Sequence, residues 1–492
     1  MIARQGLLQG IRKTACLAMA ALAILIAGVY VASLQSLPIG ATVVLIWLAA
    51  LVVVWFQPAF FFGAVIVAGS NCFGLVDLEF EIASEIKLND AIIAALFLPL
   101  VIRSFQASKL DGNRPARRAC LFFINGLLVL VGSQILITIL RWDQTPWATI
   151  KAAKVFLYYG IAYVGVLAPF RRSDARLANG ILMFSGILMA CIAIVGAFLP
   201  LDDVLPGAVI TSRGFGTMGL ETYRTITPVF PLIFLALFMA LFSHEAPRGL
   251  LRHSIIIITG LASIALAFRA FWIGIIVALT IETLLKFPGS GVRRRVWKSV
   301  LVATIALAVL VMGLRISDIL VERLTSIPDE MNTPGASLAA RMAQMQGLWQ
   351  IYSQNPVLGA GFLHQEGAGG PMAASVGLLE VGSVDVGFFD LLVKFGLLGL
   401  AAFSFLIYKF LQDIREIKSP SVAPAAAGLH AYIIMALAAL PGSALFSYPG
   451  GAMILASAIG ILMASPDETQ ERQSQRNGRL STGASFDAQG GS

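Results

Sequence analysis

The sequence predicts an all-α, polytopic integral membrane protein, and three observations predict it. Hydrophobic residues make up 58% of the chain and charged residues only 13%, with a mean hydropathy of +0.84, a balance that no soluble domain carries. The apolar residues fall in runs of roughly 16 to 24, close to the roughly 20 residues a helix needs to cross the hydrocarbon core. The runs are continuous and do not alternate with polar residues, which excludes a β-barrel.

In chain order the spans are expected near Cys16–Leu34, Ile39–Phe56, Ala59–Val76, Ala91–Ile102, Ala119–Leu140, Ala152–Ala168 and Leu177–Leu199. They continue near Ile226–Phe242, Ser254–Ala267, Ala270–Lys286, Ser299–Leu314, Val386–Phe410, Leu429–Leu440 and Ala444–Met463. This gives about 12 to 14 transmembrane helices, since Ala91–Ile102 and Leu429–Leu440 are short enough to be tilted, re-entrant or fused. Arg4, Arg12 and Lys13 precede an apolar run with no small-residue cleavage site, so the first span is read as a retained helix.

Lys and Arg collect in alternate loops: Arg103–Arg118, Arg171–Arg176, Arg248–Arg252, Lys286–Lys298 and Lys409–Lys418. Positively charged loops stay on the cytoplasmic side, so both termini are expected to be cytoplasmic. The net charge of +8 is thus a topology signal. It does not indicate nucleic-acid binding, which would need a basic surface on a soluble domain.

The opposite side has its own character. Asp77, Glu79, Glu81, Glu85 and Asp90 make one loop acidic. Leu201–Thr225 and Ile316–Ser383 are its longest segments, and the second is too long for a simple connector. The expected organisation is a first part of the bundle over 1–315, a large loop or cap containing an amphipathic helix over 316–384, C-terminal helices over 385–464, and a polar, disordered cytoplasmic tail over 465–492.

Cys16, Cys72, Cys120 and Cys191 lie in or beside apolar spans with no CxxC spacing and read as small buried hydrophobes. His244, His253, His364 and His430 are scattered, so no metal site and no cofactor are indicated. More informative are arginines on the side that should be poor in them. Arg213 and Arg224 precede one span, Arg269 sits in the turn AFRAFW between two spans, and Arg323 and Arg341 lie in the large loop. A guanidinium fork suits phosphate or carboxylate oxygens. Each arginine either contributes to a common anion site or pairs locally, with Glu221, Glu322 or lipid phosphate. Arg269 interrupts an otherwise apolar stretch, where a charge is costly unless it is used.

Within the large loop, Ser337 is a suitable N-cap. Leu338, Met342, Met345, Trp349 and Tyr352 form an apolar stripe at helical spacing, ended by Asn355-Pro356. Arg341 flanks that stripe, on a helix that lies on the bilayer or on the bundle. Gly359 and Gly361 then permit a turn whose backbone can approach a ligand closely. Asp385 stands where the chain re-enters the membrane and is suited to act as a helix N-cap, as a general base, or as both. Asp390 and Lys394, at i,i+4 spacing, are expected to neutralise each other inside the bundle.

NPVLGAGF, followed after a spacer by VDVGFFDLLVKFGLLGL, resembles the signature of the O-antigen ligase and Wzy-type polysaccharide polymerase superfamily. That signature is a Pro-x-x-Gly-x-Gly turn in a large periplasmic loop, then a helix with Gly-x-x-Gly. In the ligase branch a His-Asn pair opens this helix, whereas this chain has Asp385-Val386, which is similar to polymerase-like members.

The resemblance implies a metal-independent glycosyltransferase of the bacterial inner membrane. It would polymerise undecaprenyl-pyrophosphate-linked oligosaccharide units into exopolysaccharide or O-antigen at the periplasmic face, with a flippase, a chain-length regulator and export proteins as partners. Arg269 and Arg341 would hold the pyrophosphate, Arg213, Arg224, Gly359 and Gly361 would support binding, Asp385 would be the base and His364 its reserve. The alternatives are an O-antigen ligase, a flippase-type transporter, for which no internal repeats are evident, a metal-dependent glycosyltransferase using Asp202-Asp203, or a non-catalytic scaffold.

Overall fold

The computed structural model describes residues 50–55, 57–70, 81–83, 86–87, 90, 93–97, 100–101, 115–168, 172–199, 209–212, 223–242, 249–266, 268–286, 337–364, 386–417 and 423–464. Among the described residues the fold is an all-α membrane bundle with two short antiparallel hairpins. In chain order the elements are α1 (Phe60–Gly69), the hairpin β1 (Glu81–Ala83) and β2 (Ile86–Lys87), α2 (Pro115–Trp142), α3 (Pro146–Leu157) and a 3₁₀ segment Tyr158–Tyr163. Next come α4 (Val164–Leu167), α5 (Arg172–Gly196), the hairpin β3 (Val209–Ser212) and β4 (Tyr223–Ile226), α6 (Leu232–Phe242), α7 (Leu250–Ala265) and α8 (Arg269–Lys286). The chain continues with α9 (Ser337–Gln354), α10 (Gly387–Arg415), α11 (Ala423–Ala439), a 3₁₀ turn Leu440–Gly442 and α12 (Pro449–Ala464).

Among the described residues five stretches are long and apolar enough to cross a membrane: Ala116–Trp142, Pro146–Leu167, Ser173–Gly196, Gly387–Arg415 and Ala425–Gly442. Four shorter apolar helices, α1, α6, α7 and α12, pack among them. The spans expected at Cys16–Leu34 and Ser299–Leu314 lie outside the described residues. Several expected limits shift. The span placed at Ile226–Phe242 begins as a strand, because Tyr223–Ile226 pairs with Val209–Ser212, and its helix starts at Leu232. The span placed at Ala152–Ala168 starts earlier, where Thr145 caps α3 by accepting from the Ala148 amide at 3.3 Å and Pro146 occupies the first turn.

Helix contacts follow small residues, as membrane packing requires. A side chain on Gly274 of α8 would come within 2.6 Å of the Met435 carbonyl, so α8 and α11 pack backbone to backbone. α6 is buried along its whole length and forms the centre, between α5 and α11. α2 packs along α10, with the Phe123 and Phe410 rings stacked at 4.7 Å. Antiparallel connections bring Trp142, Pro146, Arg269, Gly387 and Gly442 to one end of the bundle, hereafter the site end. The other end carries Arg117, Arg252 and Arg415.

Candidate functional site

α10 is not one continuous helix. Gly396 has φ 64° and ψ −175°, a conformation open only to glycine, and the helical hydrogen-bond ladder breaks there. The break frees carbonyls above it and amides below it, and the turn Pro356–Phe362 takes up both. The Ala360 amide donates to the Val393 carbonyl at 2.7 Å and the Gly361 amide to the Lys394 carbonyl at 3.1 Å. In return the Leu397 amide donates to the Pro356 carbonyl at 2.9 Å and the Leu398 amide to the Val357 carbonyl at 3.1 Å. The Pro-x-x-Gly-x-Gly and Gly-x-x-Gly segments, separated in sequence, are thus two halves of one latch.

The glycines make the latch possible. Gly359 and Gly361 have φ of 75° and 77°. A side chain on Gly359 would meet the Gly396 nitrogen at 2.5 Å and the Val393 carbonyl at 2.7 Å, and one on Gly361 would strike Thr138. The backbone of both glycines therefore approaches protein closely.

Further polar groups of the turn are met by one face of α2 and by its continuation. Gln134 Nε2 donates to the Leu358 carbonyl at 3.1 Å, and Trp142 Nε1 to the Ala360 carbonyl at 3.0 Å. Thr138 Oγ1 accepts from the Phe362 amide at 2.8 Å and donates to the Gln134 carbonyl at 2.7 Å. Gln144 donates to the Phe362 carbonyl at 3.0 Å and accepts from the His364 amide at 3.0 Å. Sequence reasoning missed these residues. Their signal was present all the same: Gln134, Thr138 and Trp142 recur at i, i+4 and i+8 in an otherwise apolar run, which marks one helix face.

α9 ends at Asn355-Pro356, as expected, and leads directly into the turn. Its packed face differs from the expected stripe. Leu348, Ile351 and Tyr352 pack with Leu392 and Val393 of α10, whereas Met342 and Trp349 are exposed. Arg341, Gln344 and Met345, half-buried, continue the packed face toward the start of the helix. The physical reason is that helical spacing defines a stripe without saying which neighbour it meets. Here the turn fixes the direction of α9, and Leu348 and Ile351 meet α10.

Two acid–base pairs lie beneath. Lys394 Nζ is 2.7 Å from Asp390 Oδ1, with Asp390 buried, as the i,i+4 spacing predicted, and the ammonium lies 5.7 Å from the centre of the Phe156 ring. From α3, Lys154 Nζ bonds Asp90 Oδ2 at 2.8 Å, and the Tyr158 hydroxyl donates to Asp90 Oδ1. Phe156 packs with Phe362 and Phe395, which joins α3 to the latch.

The expected site residues are placed as follows. Arg269 opens α8, and its neighbour Ala270 lies against Gly442. The next residues, Ser443 and Ala444, are what a side chain on Gly387 would strike at the start of α10. Arg341 reaches α10 through α9, and His364 follows the latch, held at its amide by Gln144. The elements carrying Arg341 and His364 thus pack on the site-end half of α10, whereas α8, with Arg269, meets the 3₁₀ turn Leu440–Gly442 that lies beside the start of α10. Asp385 and Arg213 lie outside the described residues. Arg224 stands in β4 opposite Thr211, and its side chain is not part of the described structure. Among the described residues no three His, Cys, Asp or Glu side chains gather to form a metal centre.

Residues 253–404 match the family model described as O-antigen ligase, a similarity that supports the resemblance to the O-antigen ligase and Wzy superfamily. No curated protein sequence matches the chain.

Proposed function

We propose that this multi-pass membrane protein, whose residues 253–404 carry the O-antigen ligase family match, is a glycosyltransferase that polymerises undecaprenyl-pyrophosphate-linked oligosaccharide units at the site end of the bundle. The observation that carries the reading is the position of that match, which contains Arg269, Arg341, His364 and Asp385 together. In the proposed reaction the acceptor sugar hydroxyl attacks the anomeric carbon of the growing glycan. The bond from that carbon to the pyrophosphate oxygen breaks, and the lipid pyrophosphate leaves. Asp385 takes the hydroxyl proton, with His364 in reserve. Arg269 and Arg341 stabilise the charge developing on the leaving group, so it departs without protonation. Arg213 and Arg224 supply further contacts to the anion. The site end then faces the periplasm and both termini the cytoplasm, in the bacterial inner membrane.

The matched family's description as O-antigen ligase favours a second reading, in which glycan passes from the lipid carrier to a different acceptor as in a ligase. Purified protein in liposomes, supplied with lipid-linked repeat units alone, separates the two. A ladder of lengthening glycan supports polymerisation, and product only after addition of a distinct acceptor supports ligation. Arg269→Ala, Arg341→Ala and Asp385→Ala should lose product while the protein stays in the membrane. Wild-type chain length in all three would refute the site assignment.

A further inference from the structure

We infer that the latch turn is embedded in the bilayer, with lipid acyl chains as its partner, so that this part of the loop is a re-entrant membrane element. The inference rests on no assignment of activity. The first observation is continuity of surface. Val357 and Leu358 are 58% and 41% exposed, and the backbone of Val357 is bonded to Leu398 of α10, itself 62% exposed on a helix long and apolar enough to span. Along α9 the exposed face is mixed, Met342 and Trp349 alternating with Gln346, Gln350 and Gln354, so the apolar surface is confined to the turn and α10. Water in contact with such a surface would be unfavourable, whereas spanning helices present it to lipid as a rule.

Depth is the second observation. The turn docks on Gln134, eight residues before the end of α2 at Trp142, which places Leu358 about 12 Å below that helix end. α2 does not owe this to protruding into water. Its charged residues lie only at its two extremities, Arg117 and Arg118 at the far end and Arg141 beside Trp142 at the site end, and Leu140, between Arg141 and Gln134, is 76% exposed. From Ala119 to Leu140 α2 is apolar over about 33 Å, enough by itself to fill the hydrocarbon core. α10 carries Lys409, Asp413 and Arg415 at its far end, and its two charges near the site end, Asp390 and Lys394, are paired with each other.

The third observation is the hydrogen-bond economy of the turn. Every amide from Gly359 to Phe362 and every carbonyl from Pro356 to Leu358 has a partner within the protein. A loop in water has no need of this, because solvent completes its bonding. Non-helical backbone at membrane depth is tolerated only when the protein satisfies it.

The test uses the full chain in phosphatidylethanolamine and phosphatidylglycerol vesicles, with its four native cysteines replaced by alanine. Nitroxide labels are placed at Val357→Cys and Leu358→Cys, with Leu398→Cys as the lipid reference and the exposed Glu416→Cys as the aqueous one. Collision rates with oxygen and with a water-soluble nickel chelate report depth. Ratios at 357 and 358 close to that at 398 support the proposal, and ratios close to that at 416 overturn it. Val357→Asp needs no label. Lowered melting temperature in nanodiscs is expected for a lipid-facing position, and unchanged melting would count against it.

Discussion

Replacing Gly396 by alanine should spring the latch. At φ 64° and ψ −175° an alanine carries backbone strain of about 2 kcal/mol. Its methyl group would also run into the Gly359 nitrogen and the Val357 carbonyl, which are main-chain atoms and cannot swing away as a side chain would. Relief requires the turn to move off α10, and the first bonds lost are those from the Leu397 and Leu398 amides to the Pro356 and Val357 carbonyls. At about 1 kcal/mol net for each bond, the total approaches 4 kcal/mol, a large share of a typical stability of about 5–15 kcal/mol. The assay is reversible unfolding by SDS titration in mixed micelles. Gly132→Ala in α2 is the matched control, because nothing lies within 4 Å of the added carbon; its helix propensity should make it neutral or stabilising by up to about 1 kcal/mol. A Gly396→Ala protein within about 1 kcal/mol of the parent would refute the strain and collision arithmetic.

Two further substitutions test the polar supports. Thr138→Val removes the oxygen that accepts from the buried Phe362 amide and should cost about 1–3 kcal/mol in the same titration, whereas Thr138→Ser, which keeps the oxygen, should retain most of the stability; equal losses would show that the bond is unimportant. Lys394→Met leaves Asp390 buried beside an apolar chain and should cost about 3–5 kcal/mol; the double variant Lys394→Met, Asp390→Leu should recover most of it, and a double variant as unstable as the single would mean that the pair is held for another reason.

The long spans were legible because hydrocarbon is an unforgiving solvent. Val386–Phe410 and Ala119–Leu140 were recognisable from apolar length alone. α10 and α2 exceed those limits because Arg415 and Arg117 stay helical after they have left the apolar zone. The Asp390–Lys394 pair could be read from spacing, since i and i+4 share a helix face. The break at Gly396 could not. GLLG is as apolar as its surroundings, and a positive φ leaves no mark beyond the presence of glycine. The direction of α9 stayed open for a related reason: helical spacing marks a stripe but not its neighbour, and of that stripe Tyr352 packs on α10 while Met342 and Trp349 are exposed. Polar and small residues point inward more dependably, as Gln134, Thr138 and Gly274 do. The buried Glu282–His430 contact between α8 and α11 was also missed, because its partners lie 148 positions apart.

The 3₁₀ segment Tyr158–Tyr163 has a consequence for how one span serves two neighbours. Each 3₁₀ residue advances the side-chain direction by about 120° where an α-residue advances it by about 100°. Over the segment's six residues the accumulated phase difference is about 120°, a third of a full rotation. The upper stretch aims Phe156 at Phe362 and Phe395, and the lower stretch aims Gly165 at Gly460 and Met463 of α12. A uniform α-helix of the same sequence could keep one of these alignments and would forfeit the other. The tightened winding acts as a rotational coupling that lets a single rod present correctly aimed surfaces to the latch above and to the C-terminal helix below.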